Sequence, residues 1–158
     1  GAREEFTTLI EEIADPRDTA NHYRGLAHRQ YVGLGNLDQP VKLKKVLYVL
    51  RPLLCLAWMD ANGFGKLPPM DVPTLRAGID LPAAFSDEMD DLLARKAVTR
   101  EMGMETLSRS LVSQMEDMMA RFETIDIPRR GERAERQQAA DAFYSRWVDR
   151  FDAAGATA

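Results

Sequence analysis

Apolar residues recur at helical spacing along most of this chain. Phe6, Leu9, Ile10 and Ile13 predict a first helix over Arg3 to Ile13. Asp15-Pro16 ends it, because a residue preceding proline is biased away from the helical region. Asp18 or Thr19 is the expected cap of a second helix reaching about Val32, where Gly33, Gly35 and Asn36 interrupt the pattern. The widest apolar stripe is Leu43, Val46, Leu47, Leu50, Leu53, Leu54 and Ala57, which predicts a third helix over about Val41 to Asn62, with Asn62-Gly63 as its stop. A loop over Gly65 to Pro69 follows, then a short helix from Val72 to Ala77 capped by Asp71. The next helix starts around Gly78 to Pro82 and reaches about Lys96, with Phe85, Met89, Leu92 and Leu93 inward. Gly103 separates it from a helix over roughly Glu105 to Ile125, and a turn at Pro128 to Gly131 leads into a last helix over about Glu132 to Phe151. No stretch reads as a convincing strand. The expected fold is all-α, a bundle of six to seven helices forming one domain over 1–158, with a tail from 153 onward that should fray.

Composition narrows the class without changing that picture. A chain of 158 residues can bury a real core, and 45% hydrophobic with 29% charged residues argues against disorder. The most apolar stretch, Val41 to Met59, contains Lys42, Lys44, Lys45 and Arg51, so a membrane span is not expected. Gly1-Ala2, with no initiator methionine or signal peptide, reads as a tag-cleavage scar on a piece of a longer protein. The single Cys55 permits no internal disulfide, fits a cytoplasmic location and sits where a small buried hydrophobe is expected. Met104, Met115, Met118 and Met119 read as core filler rather than an adaptable binding surface.

Charge is distributed unevenly. The net charge is −4, yet Arg17 to Arg51 holds seven Lys or Arg against two acids, a local +5 that leaves −9 for the remainder. His22 and His28 lie in the same segment. A basic face on an acidic protein suits a polyanion such as a nucleotide or RNA; the alternative is an ordinary solvated surface.

Three constellations carry candidate chemistry. On the third helix, Lys44, Tyr48, Arg51, Cys55 and Trp58 follow i, i+4, i+7, i+11, i+14 spacing and are expected to share a face. A cation, a phenol and a guanidinium in a row can clamp phosphate and stack a base. Arg51 precedes Pro52, which withdraws the helical partner of the Tyr48 carbonyl; a kink there is expected to re-aim both side chains, the alternative being a tolerated kink whose Arg51 pairs with a carboxylate. On the second helix Arg24, His28 and Tyr31 share a face and overlap a Tyr23, Ala27, Tyr31 stripe, which makes either a stacking platform or a helix-packing surface. Arg95-Lys96 ends a helix, where cations complement the dipole; a Lys96 pointing into a cleft would instead be a phosphate ligand.

Other chemistries find little support. There is no P-loop, GxGxxG, HExxH or CxxC pair, and two histidines with one cysteine make no metal site at these spacings. Asp87, Glu88, Asp90 and Asp91 occupy the first half of a helix, where acids favour the dipole, and read as a solvated face. Arg24 and His28 weakly resemble the Arg-to-His motif of helical HEPN ribonucleases, with an intervening stretch shorter than that motif's.

The run Lys44-Lys45-Val46-Leu47-Tyr48-Val49-Leu50-Arg51-Pro52-Leu53-Leu54-Cys55-Leu56-Ala57-Trp58, followed by Asn62-Gly63 and Pro68-Pro69-Met70, resembles a family of bacterial nucleotidyltransferases of the DNA polymerase beta superfamily, some linked with RNA repair. The resemblance covers roughly Arg17 to Lys96, with Tyr23 to Tyr31 and Leu92 to Lys96 fitting its layout. It implies that a catalytic domain precedes this region and carries a Gly-Ser motif and paired aspartates. Those residues are absent here, so no catalytic residue and no cofactor are expected in this chain, whereas Mg2+ and a nucleoside triphosphate are expected for the longer protein. The resemblance further implies that Lys44, Lys45, Tyr48, Arg51 and Lys96 face the catalytic domain and hold the triphosphate or an acceptor strand. Arg24 and His28 complete the expected phosphate-binding set, with Tyr31 and Trp58 as stacking candidates. The rival readings are a helical protein-interaction or dimerisation module and, behind it, a HEPN-like ribonuclease.

Overall fold

The computed structural model describes residues 1–98 and 102–155. Seven helices follow in order: α1 Ala2–Ile13, α2 Pro16–Val32, α3 Leu43–Ala61, α4 Val72–Ala77, α5 Ala83–Val98, α6 Arg109–Thr124 and α7 Arg133–Gly155. Two two-residue strands, β1 Val41–Lys42 and β2 Met104–Glu105, pair antiparallel with Val41 opposite Glu105 and Lys42 opposite Met104. The fold is all-α, as the periodicity predicts. Among the described residues no helix is long and apolar enough to cross a membrane.

Helix α3 is the axis of the molecule. Its Leu43, Val46, Val49, Leu50, Leu53, Leu54, Leu56 and Met59 are all buried, so it is covered on nearly every side. It packs most extensively on α2 and also meets α4, α5 and α6. One apolar cluster surrounds its first two-thirds and takes in Leu75, Phe85, Met89, Leu92, Leu111 and Met115. A second, at its C-terminal end, joins Leu56 and Met59 to Ala20, Phe64, Phe122 and Ile127. Asn62 and Gly63 stop the helix as expected, with Gly63 at φ +60°.

Three local expectations change. The cap of α2 is Asp15, not Asp18 or Thr19: its carboxylate accepts from the amides of Arg17 (2.8 Å) and Asp18 (3.4 Å), and Pro16 opens the first turn. Proline tolerates a first-turn position because its missing N–H has no helical partner there. Asp15-Pro16 therefore starts one helix as well as ending another. Helix α6 begins at Arg109 rather than Glu105, because Ser108 caps it by accepting from Leu111 N at 3.0 Å. Of the residues so released, Glu105 joins Met104 in β2. That short pairing has a purpose at the N-terminus of α3, whose Lys42 provides no side-chain cap: the Leu43 amide donates instead to the Gly103 carbonyl at 3.2 Å. Gly103 makes the turn at φ +77°.

Helices α1 and α7 stand apart from this core and pack on each other. Phe6, Phe143, Trp147 and Phe151 form a row with successive ring centroids 6.3, 5.9 and 5.6 Å apart. Helix α7 extends to Gly155; the rest of the tail expected to fray, 156–158, lies outside the described residues.

Candidate functional site

Tyr48, Arg51 and Lys96 come together on one cleft of about 410 Å3. The α3 side supplies Tyr48 and Arg51 over a floor of Leu50 and Leu54. The entry to α4 supplies Met70, Val72 and Pro73, and α5 supplies Met89, Leu93 and Lys96. Leu50, Leu54 and Met89 are buried, whereas Tyr48 is 47% exposed and Arg51 and Lys96 lie at the rim. A volume of this order suits a small ligand.

Arg51 is oriented by the loop before α4: one guanidinium nitrogen donates to the Met70 carbonyl at 3.0 Å. A guanidinium carries five donors, so this anchor leaves others for a ligand. Pro52 is buried inside α3, and the helix continues through it to Ala61. At the far rim the two basic residues of α5 divide their roles. Arg95 pairs with Asp91 and Glu105, tying α5 to β2, while Lys96 pairs with no carboxylate among the described residues. Among the described residues the lining has two cations and no acid.

The predicted row along α3 leaves the surface halfway. Lys44, Tyr48 and Arg51 are exposed, but Cys55 is 2% exposed and Trp58 is half-buried. Helix α2 covers this end, placing the Tyr23 hydroxyl against Cys55. Burial and the neighbouring thiol push Tyr23 up to about 12. Burial also raises the Cys55 thiol, despite its hydrogen bond with Tyr23 and the nearby Arg51 guanidinium, so Cys55 is protonated at neutral pH and unsuited to nucleophilic attack. Trp58 packs closely on Gly78, where a Cβ would fall 2.5 Å from the indole Nε1.

The remaining sequence-predicted residues lie elsewhere. Lys45 donates to the Gly33 carbonyl at 3.1 Å and so holds the end of α2. Arg24 donates to the Ile125 carbonyl at 2.7 Å and to Asn21 Oδ1 at 3.0 Å, binding α2 to the segment after α6. The Tyr31 hydroxyl donates to Glu116 on α6. Arg24 and His28 border a separate pocket of about 240 Å3, with Leu53, Met119, Phe122 and Glu123. A larger groove of about 470 Å3 between α1 and α7 contains Glu4, Glu5 and Glu12 against one Arg146, a charge balance that repels phosphate. Asp87, Glu88 and Asp91 border a further pocket with Arg95 and Ser108, and no cluster of three or more His, Cys, Asp or Glu suited to a metal occurs among the described residues. The apolar walls Met70, Val72, Pro73 and Leu93 were not among the predicted site residues; the sequence signals near them were the Pro68-Pro69-Met70 run and the Leu92 to Lys96 segment within the resemblance.

Over 102 residues the chain is 33% identical to a Bacillus subtilis (strain 168) protein described as uncharacterized protein YcgL. The match takes in 65% of this chain and 38% of that protein, so the chain accounts for well under half of its relative's length. No solved structure matches. The profile of the family described as RlaP, RNA repair pathway DNA polymerase beta family, matches residues 1–146, and the chain belongs to that nucleotidyltransferase-related family.

Proposed function

We propose that this chain is the C-terminal helical part of a nucleotidyltransferase, and that its cleft binds nucleotide or nucleic acid for a catalytic domain located elsewhere in the longer protein. The observation that carries the reading is the convergence of Tyr48, Arg51 and Lys96 from two helices on a cleft with no acid among its described lining residues. The membership of the polymerase beta family and the 38% share of the relative's length support it. The described residues of the cleft offer no carboxylate to a catalytic Mg2+; no metal-dependent step is assigned to this chain. Its own contribution is electrostatic and positional: two cations hold phosphate oxygens, and a preorganised site avoids the entropic cost of aligning the reactants. Lys44, exposed one turn before Tyr48, extends the positive charge past the cleft.

The test is salt-dependent binding of the chain to nucleoside triphosphates and to short single-stranded RNA. Binding should weaken with salt and be lost in Arg51→Ala with the melting temperature unchanged. A large drop in melting temperature with unaltered binding would make Arg51 a scaffold residue and sink the proposal. The exposed Phe6, Tyr144 and Phe151 favour a second reading, a self-association or protein-interaction surface on α1 and α7. Sedimentation of a monomer at high micromolar concentration would remove its dimeric form.

A further inference from the structure

The cleft lined by Tyr48, Arg51 and Lys96 supports a finer assignment, which rests on the nucleotide-binding reading above. We infer that it seats one unpaired nucleotide of an RNA strand, the base against Tyr48 and its phosphate between Arg51 and Lys96, and not the triphosphate tail of the incoming nucleotide. The family's description names an RNA repair pathway.

Charge separates the two occupants. A triphosphate tail is a concentrated anion that travels with a divalent cation, and protein sites for it supply carboxylates to the cation or a dense set of donors to the phosphates. Among its described lining residues the cleft supplies neither: they include two cations and no carboxylate. Part of the Arg51 donor set is already committed to the Met70 carbonyl. What remains matches a single phosphodiester.

The apolar lining separates them further. Leu47, Met70, Val72, Pro73 and Leu93 surround the cations, and Tyr48 presents a half-exposed ring beside them. These groups offer nothing to phosphate oxygens but bury a base, and base stacking on an aromatic ring tolerates any sequence. A Watson–Crick-paired base has both faces stacked within a duplex and cannot use such a ring, so the fitting occupant is unpaired. The volume of about 410 Å3 is near the small end for ligand sites, consistent with one nucleotide rather than several.

The experiment titrates the chain with a 5′-labelled single-stranded RNA hexamer and competes it with unlabelled hexamer, inorganic tripolyphosphate and Mg2+–ATP. Tyr48→Ala should weaken RNA binding about fivefold or more, while Tyr48→Phe keeps it. The slope of log affinity against log salt should be shallow, about −0.7 to −1.4, as for one or two phosphates. Displacement of RNA by tripolyphosphate or Mg2+–ATP at lower concentration than by unlabelled hexamer would overturn the assignment and leave the broader nucleotide-binding proposal standing. Equal binding by wild type and Tyr48→Ala would likewise overturn it. No binding of any of these probes at low salt would overturn both.

Discussion

Among the described residues helices α3 and α7 are the two longest, 19 and 23 residues, and they are held by opposite means. Helix α3 is enclosed by four other helices and buries most of its side chains; among the described side chains of α7 none is fully buried. Instead α7 lays an aromatic row along α1, with Arg150 bonded to Glu5 at 2.7 Å and stacked over Trp147 at 5.7 Å. Helix length therefore says little about where stability resides, since burial supplies most of it. The candidate cleft lies on the enclosed helix, so its rim residues project from a rigid support, the arrangement a binding site needs for precise geometry.

The two regions meet at Asp15. This side chain is only 5% exposed, caps α2, accepts from the Arg130 amide at 3.3 Å and pairs with Arg136 at 3.1 Å. Arg130 also reaches the Glu11 carbonyl and, at 2.8 Å, the Gly65 carbonyl. Burial alone would raise the Asp15 pKa, but three backbone amides and the Arg136 guanidinium outweigh it and hold the carboxyl below its usual value. A group depressed in this way stabilises the fold above its unfolded-state pKa, about 3.9, and loses that contribution as pH falls through the lower folded-state value.

The largest expected effect is therefore at the joint. Asp15→Ala removes a cap and one partner of a buried ion pair and should destabilise by about 3–5 kcal/mol in urea unfolding. The wild type should lose stability on acidification below about pH 4, and Asp15→Asn should show a flatter profile there. If the two profiles coincide, another carboxylate sets the acid limb. Next comes the enclosed helix: Leu53→Ala leaves a cavity in α3 and should reduce stability by about 2–5 kcal/mol. A smaller loss is expected at Gly78→Ala, about 1–3 kcal/mol, because the new methyl must displace the Trp58 indole; near-neutral unfolding would mean that the ring swings aside freely. The smallest is at the peripheral pair. Phe151→Ala, at a residue 68% exposed, should change stability by no more than about 0.5 kcal/mol. A loss approaching that of Leu53→Ala would erase the contrast between the two regions and show that the outer face of α7 is covered in solution.

Much of the helical layout was legible because it depends on local signals. The leucine stripe of α3, its stop at Asn62-Gly63 and the Asp71 cap, which accepts from Thr74 N at 2.8 Å, follow from periodicity and capping chemistry. The errors arose where two local signals competed. Asp15 and Asp18 are both good caps, and the choice went to the one that Pro16 follows and that the Arg130 amide and Arg136 also engage from far along the chain. Glu105 has a plausible helical pattern after it, but its backbone pairs with Val41 instead.

For the candidate site the sequence alone determined the residue types and their order on α3: Tyr48 and Arg51 on an exposed edge, a buried Cys55, and a proline between them. Helical spacing is a local property, so one strand of text suffices to read it. Only the tertiary structure decided which of those residues share a cleft. It brought Lys96 to the same cleft as Arg51, assigned Arg24, Tyr31 and Lys45 to bonds between elements, and packed Trp58 against Gly78. Those outcomes depend on how α2, α4 and α5 pack around α3. Such packing is set by contacts between residues far apart in sequence, for which spacing along the chain has no signal.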